Sequence, residues 1–191
     1  MTGIEAEIIE VIKKYGPLTG SELAPHFDME PLLLLRECRL SDALQVQLIG
    51  TRYLRLDRGI EGFARLSPSI LREFLTYSVI GFSDDPDPLR EKAFQLTKKI
   101  EAISRSKCDL AYNIASSLMT RLEYGSKEKA CFIIAGDIVF NMAHDVPRPE
   151  RSTKKMVQGS DIDIVVIVKD EYSDELKARL DEEIYKEKYS L

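Results

Sequence analysis

The sequence has no long apolar run, and this shortage bears on membrane association. Its uninterrupted apolar stretches, such as residues 32–35 and 164–168, fall far short of the roughly 20 residues that a transmembrane helix needs. The amino-terminal residues are acidic and amphipathic, without the charged-then-apolar order of a secretion signal. We therefore expect no membrane-spanning segment and no membrane partner.

Cysteine is also scarce. The three cysteines, Cys38, Cys108 and Cys131, are odd in number and widely spaced. That pattern argues against a disulfide framework and against a zinc site, and it is typical of a reducing compartment. A cytoplasmic location is the expectation.

An excess of positive charge is missing as well. The net charge is −5, and none of the segments 1–70, 71–124 and 125–191 has more basic than acidic residues. Non-specific nucleic-acid binding draws on such an excess, so only a local basic patch could support it. There is no glycine-rich loop followed by Lys-Ser/Thr, which excludes a P-loop. His144-Asp145 has no accompanying nucleophile, so we expect a structural histidine.

The first 67 residues read as three short helices and a ribbon. Apolar residues from Ile4 to Ile12 form one helical stripe that Gly16-Pro17 ends. Thr19 and Glu22 have the spacing of a capping box, which predicts a short second helix. A third helix is expected from about Glu30, with Pro31 in its first turn. The segments VQLIGTRYLRLD and GFARL alternate apolar and polar residues and predict a two-stranded wing.

The segment TGSELA, together with this order of elements, resembles a winged helix-turn-helix domain. In that family the third helix enters the major groove of DNA, and this implies contacts to phosphates or base edges. The implied nucleic-acid residues are Arg36, Arg39, Arg52 and Arg55. Because the segment is slightly acidic, its charge favours the alternative interpretation, a packing or dimerisation module with solvated arginines.

A long helix is predicted after the segment at residues 83–88, which is rich in aspartate and proline. Asp87 can cap it and Pro88 can take its first position. An apolar stripe then runs from Ala93 to Leu122 before Tyr124-Gly125 ends the helix. Such a length could pair two copies of the chain as a homodimer, or it could simply span one side of a domain.

Two aspartates separated by one residue, Asp161 and Asp163, open a run of β-branched residues. Residues i and i+2 of a strand point the same way, so we expect the two carboxylates to lie side by side. Like charges so placed favour a bound cation, and Mg²⁺ prefers hard oxygen ligands and usually takes one or two carboxylates. The spacing therefore predicts a magnesium site.

The segments AGD (135–137) and GSDIDIVVIV (159–168) resemble the nucleotidyltransferase superfamily that includes polymerase-beta-like and minimal nucleotidyltransferases. The resemblance implies transfer of a nucleoside monophosphate from a nucleoside triphosphate, most commonly ATP, to a hydroxyl acceptor, with two Mg²⁺ or Mn²⁺ ions. It implies Asp161 and Asp163 as the catalytic metal ligands. It also implies that Gly136 and Asp137 mark the turn that holds the triphosphate, and Ser160 is a further nucleotide candidate. The basic loop residues Lys154, Lys155, Arg148 and Arg151 could add positive charge against the β- and γ-phosphates.

Three features depart from that family. Asp137 stands where the family usually has serine, Gly136 lies 25 residues before Asp161, and no later strand with a further carboxylate is evident. The alternative is a winged-helix DNA-binding regulator or assembly protein with a degenerate, inactive nucleotidyltransferase domain. The sequence leaves the acceptor open among protein, RNA, a DNA end and a small molecule.

These patterns together predict an α+β protein in three parts. The winged-helix module takes residues 1–82, the helical connector 83–124 and the nucleotidyltransferase-like unit 125–191. In the last part we expect a strand (CFIIAGD), a short helix (IVFNMAHD), a strand (DIDIVVIV) and a helix beginning at Ser173. Two strands are too few for an independent sheet, so further strands come from elsewhere or the unit is incomplete.

Overall fold

The structure is a computed structural model that describes residues 3–56, 64–121, 128–149, 156–171 and 173–188. It mixes helices with small antiparallel sheets, which confirms the α+β class. Two compact units emerge. The first combines residues 1–101 with 144–159, and the second combines residues 102–143 with 160–191.

The first unit begins with three helices whose ends agree with the sequence signals. Helix α1 spans Gly3–Tyr15, α2 spans Gly20–Leu23 and α3 spans Pro31–Leu40. At α2 the capping box is complete, because the Thr19 side chain accepts from the N–H of Glu22 and the Glu22 carboxylate accepts from the N–H of Thr19. The Glu30 carboxylate caps the amino-terminal end of α3, because it accepts from the N–H groups of Leu32 and Leu33.

The strands of the first unit are β1 (Leu18–Thr19), β2 (Leu44–Leu48), β3 (Tyr53–Leu56), β4 (Ala64–Ser67) and β5 (Ser78–Phe82), and α4 (Ile70–Tyr77) precedes β5. Strands β3 and β4 form the expected antiparallel ribbon. The prediction that VQL continues that ribbon is wrong, because β2 pairs with β5 in the sheet β1-β5-β2. Strand β5 is almost entirely buried, so its apolar side chains draw β2 to the core.

The core of the first unit lies where the helices meet this sheet. Side chains from α1, α2, α3, α4, β2 and β5 are buried there: Ile8, Ile12, Leu23, Leu34, Leu35, Cys38, Leu44, Phe74 and Ile80. Burying side chains of this size stabilises the fold by about 1.5–3 kcal/mol each. The first unit therefore has a continuous apolar core.

Helix α5 (Pro86–Arg121) is continuous over 36 residues and contributes to both units. Its first half packs Leu89 and Ala93 against Val79 of β5. In its second half, Ala111 packs with Ile138 and Ala143. In the described part of the chain, no helix combines the length and the apolar composition that crossing a bilayer requires.

The second unit pairs β6 (Ala130–Ala135) with β9 (Asp163–Val168) and adds α6 (Asp174–Lys188). The pair is antiparallel, and the predicted short helix between its two strands is wrong. No α-helix covers IVFNMAHD: a 3₁₀ turn at Gly136–Ile138 follows β6, and turns continue to Asn141. Two short strands, β7 (Pro147–Pro149) and β8 (Met156–Gln158), belong to the first unit.

The boundary between the compact units falls inside α5, whereas the sequence pattern placed boundaries at residues 82 and 124. Residues of α5 pack into two separate apolar clusters, so a continuous helix is shared between the two units. The domain division 1–82, 83–124 and 125–191 stays a prediction about which segments fold together.

Candidate functional site

The turn at Gly136 and the start of β9 lie together at one edge of the second unit. The antiparallel register pairs Ala135 with Asp163, so the last residue of β6 faces the first of β9. Gly136 follows with φ +77°, a left-handed conformation that glycine adopts without strain. A Cβ at Gly136 would collide with Oδ2 of Asp163. The absence of a side chain therefore lets the Asp163 carboxylate approach the turn.

Asp137 is buried beside this turn, where it binds a serine. Only 7% of Asp137 and 4% of Ser160 are exposed, and the Ser160 hydroxyl donates to Oδ2 of Asp137 over 3.0 Å. A hydrogen bond to a carboxylate is among the stronger ones, and its loss leaves a buried charge with fewer donors. The carboxylate at position 137 thus fixes the segment that precedes Asp161.

Lys107 joins the same segment from helix α5. Its ammonium donates to the backbone carbonyl of Ser160 over 2.6 Å, and the side chain is half-buried. Sequence reasoning missed this residue, because 53 positions separate the two partners. No local pattern marks Lys107, since it lies within an ordinary helical stretch. Only the packing of α5 in the second unit brings it to Ser160.

The two aspartates of the Asp-x-Asp segment differ in setting. Strand β9 begins at Asp163, so Asp161 lies outside the strand, and the expectation that both share one strand face is wrong. Asp161 is exposed and Asp163 is half-buried. Over the described ranges, no group of three or more His, Cys, Asp and Glu side chains is arranged to hold a metal ion. Two carboxylates one residue apart nevertheless form a donor set of the kind that Mg²⁺ takes.

The expected basic loop falls largely outside the described residues. Arg151, Lys154 and Lys155 are not among the positions the structure describes, and of Arg148 only its place in β7 is described. Their assignment to the nucleotide phosphates stays a prediction.

The four arginines predicted to touch nucleic acid do not behave alike. Arg52 forms a two-pronged ion pair with Glu73, with Nε–Oε2 and Nη2–Oε1 distances of 2.6 and 2.7 Å. This hydrogen-bonded pair raises the pKa of Arg52. Arg36 and Arg39 are exposed on α3, Arg36 standing 3.8 Å from Glu37, and Arg55 is half-buried on the ribbon. The nucleic-acid role of all four stays a prediction.

Apolar side chains share these surfaces with the arginines. Leu33 on α3 is 49% exposed, and the cross-strand partners Leu54 and Leu66 on the ribbon are 71% and 55% exposed. Exposed leucines of this kind are more typical of a protein-binding surface than of one that meets phosphates.

The first unit also contains an open cavity of about 520 Å³. Hydroxyl groups of Thr19, Ser21 and Thr76 line it. Two lysines of α5 line it as well, and both are paired, Lys92 with Glu22 at 2.9 Å and Lys99 with Asp145 at 2.7 Å. The charges of the cavity are therefore balanced internally.

His144 and Asp145 contact different partners. His144 is buried, its Nδ1 accepts the N–H of Val146 over 3.2 Å, and its ring meets Tyr77 edge-on at 5.9 Å. Asp145 instead binds Lys99. The interpretation of His144 as a structural residue stays a prediction.

Comparison with protein-family models, with curated proteins and with solved structures finds no match to this chain.

Proposed function

We propose that the chain is a metal-dependent nucleotidyltransferase that moves a nucleoside monophosphate from ATP to a hydroxyl acceptor. The observation that carries the proposal is the approach of the Asp163 carboxylate to the Gly136 turn, with Asp161 and Ser160 in the same segment. Gly136 and Asp163 are 27 positions apart in the sequence. In the folded chain they lie together at one edge of the β6–β9 pair. That grouping joins the two segments, AGD and GSDIDIVVIV, on which the resemblance depends.

The donor chemistry of the two aspartates fits a hard divalent cation. Asp161 and Asp163 would hold Mg²⁺ or Mn²⁺ through carboxylate oxygens, Asp161 from an exposed position and Asp163 from beside the turn. When bound, the metal supplies activation of the attacking hydroxyl and charge stabilisation of the departing pyrophosphate.

The bond changes of the proposed reaction are those of a nucleotidyl transfer. The acceptor oxygen forms a bond to the α-phosphorus, and the bond from that phosphorus to the bridging oxygen breaks. Pyrophosphate leaves with the electron pair, while the hydroxyl proton passes to water. The contribution of this chain is to position the reacting groups, since positioning and charge stabilisation dominate phosphoryl-type transfers.

Asp137 has a positioning role in this proposal. A carboxylate that faced the triphosphate would repel it, but Asp137 is buried and accepts the Ser160 hydroxyl. Its carboxylate therefore holds the segment that contains Asp161. This supports the proposal at the position where the chain departs from the family pattern.

The amino-terminal elements support a winged-helix module that selects the partner of the enzyme. The order α1, β1, α2, α3 followed by the β3–β4 ribbon is the one the resemblance implies. Three widely spaced cysteines, none of them in a disulfide, agree with a cytoplasmic enzyme.

A second candidate is an assembly protein that retains a degenerate nucleotidyltransferase unit. The exposed leucines of α3 and the ribbon favour it, and the Arg52–Glu73 ion pair removes one arginine from the proposed DNA surface. Salt-sensitive binding of duplex DNA that is weakened in Arg36→Ala/Arg39→Ala, without any nucleotide binding, would favour a DNA-binding regulator instead.

The deciding experiment is calorimetric titration of a non-hydrolysable ATP analogue with Mg²⁺. We expect the wild type to bind and Asp161→Asn/Asp163→Asn to lose binding. Asp170→Asn/Glu171→Gln is the matched control, because it removes the same charge beyond the opposite end of β9. A folded wild type that binds no nucleotide would overturn the proposal, as would equal binding by the aspartate variant.

A further inference from the structure

Lys107 is held at the proposed site by a contact to a neutral group, the backbone carbonyl of Ser160. The ammonium donates to the Ser160 carbonyl over 2.6 Å, and a lysine ammonium carries three N–H donors in total. Among the described residues, no carboxylate lies within ion-pair distance of Lys107. The cation is therefore fixed in place by a neutral partner, with donors remaining.

Other lysines of the same helix are paired differently. Lys92, Lys98 and Lys99 each lie 2.7 to 2.9 Å from a carboxylate oxygen, and Lys98 and Lys99 are more exposed than Lys107. A half-buried ammonium has lost part of its hydration, so an anionic ligand that reaches it replaces the lost interaction. Lys107 thus differs from these lysines in being ready to accept an external anion.

The surroundings of Lys107 specify which kind of anion. Its carbonyl partner belongs to Ser160, whose hydroxyl binds Asp137 and whose next neighbour is Asp161. Carboxylates dominate this segment, so a simple anion would be repelled unless it came with a divalent cation. A metal-bound polyphosphate meets both requirements, and lysine is a frequent point-charge ligand for phosphate.

We propose that Lys107 binds the phosphate chain of the nucleoside triphosphate. This inference rests on the proposed nucleotidyltransferase function. The ammonium keeps its bond to the Ser160 carbonyl and directs its other donors to the phosphate oxygens. Helix α5 thereby supplies the positive charge of the site from outside the loop that contains Lys154 and Lys155.

The test uses the full chain, Mg²⁺ and the non-hydrolysable ATP analogue, with three substitutions at one position. Lys107→Met removes both the donor and the charge. Lys107→Gln removes the charge but retains an N–H donor for the Ser160 carbonyl, and Lys107→Arg retains the charge. We expect Lys107→Met and Lys107→Gln to weaken binding by about 10- to 100-fold, the range for a lost charge-assisted hydrogen bond, and Lys107→Arg to weaken it less.

A matched control and a second readout separate phosphate binding from anchoring. Lys169→Met removes an exposed lysine just beyond the opposite end of β9 and is expected to leave the affinity within twofold of the wild type. Mn²⁺ binding without nucleotide, followed by electron paramagnetic resonance, should be unchanged in Lys107→Gln. Circular dichroism confirms that each variant is folded.

Three outcomes would overturn the inference. Lys107→Met could bind the ATP analogue like the wild type. Lys107→Gln could bind the analogue where Lys107→Met does not, or the affinity for Mn²⁺ could fall together with the affinity for nucleotide. In the last two cases Lys107 only anchors the segment before Asp161. If Asp161→Asn/Asp163→Asn loses nucleotide while Lys107→Met does not, the inference fails and the proposed function stands. If the wild type itself binds no nucleotide, both fail.

Discussion

The carboxylate of Asp163 lies where the side chain of residue 136 would begin. A Cβ built on Gly136 would collide with Oδ2 of Asp163 and stand 3.1 Å from its Cγ. Glycine at this position is therefore required twice, once for the left-handed φ of +77° and once for the close approach of the carboxylate.

Replacing Gly136 by alanine should destabilise the protein by more than the backbone strain alone. A left-handed conformation costs a non-glycine residue about 1–2 kcal/mol, and the clash with Asp163 adds to it. Gly16→Ala is the control, since Gly16 has the same φ of +77° and a Cβ there meets nothing within 4 Å. Urea denaturation of both variants measures the difference, and equal losses of unfolding free energy would show that Asp163 moves aside without cost.

Breaking the Arg52–Glu73 ion pair should lower stability rather than act mainly on nucleic-acid binding. Glu73 is 7% exposed and has Arg52 as a two-pronged partner, so Arg52→Ala leaves its carboxylate buried without that partner. Arg39→Ala, on the exposed face of α3, should leave the denaturation midpoint unchanged. If both arginine variants denature at the wild-type midpoint, the pair contributes nothing to folding.

The buried thiol of Cys38 should make stability fall in alkaline solution. Burial raises the pKa of Cys38 to about 12, from 9.0. Since the folded pKa is the higher one, this contribution to stability is complete below pH 9 and is lost as the pH rises towards 12. The slope from this one group is at most about 1.4 kcal/mol per pH unit.

Cys38→Ala isolates that effect. The variant is less stable overall because it leaves a cavity in the core, but the difference from the wild type should shrink between pH 9 and pH 12. Denaturation at several pH values measures it, with Cys131→Ala, an exposed thiol, as the control. A difference between wild type and Cys38→Ala that stays constant across this window would contradict the expectation.

Several elements of the fold could be predicted from the sequence because their signals are local. The capping box at Thr19 and Glu22, Pro31 at the start of α3 and the long apolar stripe of α5 each depend on residues within a few positions of one another. Such short-range preferences act within the chain segment itself, so the sequence displays them directly.

Other features were set by pairing partners that are distant in sequence. Strand β2 alternates like a ribbon strand, yet it joins β5 because β5 is the more deeply buried partner. Asp161 belongs to the segment that the sequence pattern predicts as a strand. It precedes the strand in the structure, because the ladder with β6 begins at the pair Ala135 and Asp163.

The sequence by itself determined the starts of α2 and α3, the two strands β6 and β9 and the presence of an Asp-x-Asp segment after a glycine. The tertiary structure decided which side chains meet: Gly136 with Asp163, Ser160 with Asp137, and Lys107 with the Ser160 carbonyl. The physical reason is range. Capping and periodicity act over one or two turns of chain, whereas these contacts join segments 23 to 53 residues apart and exist only because burial of apolar surface folds them together.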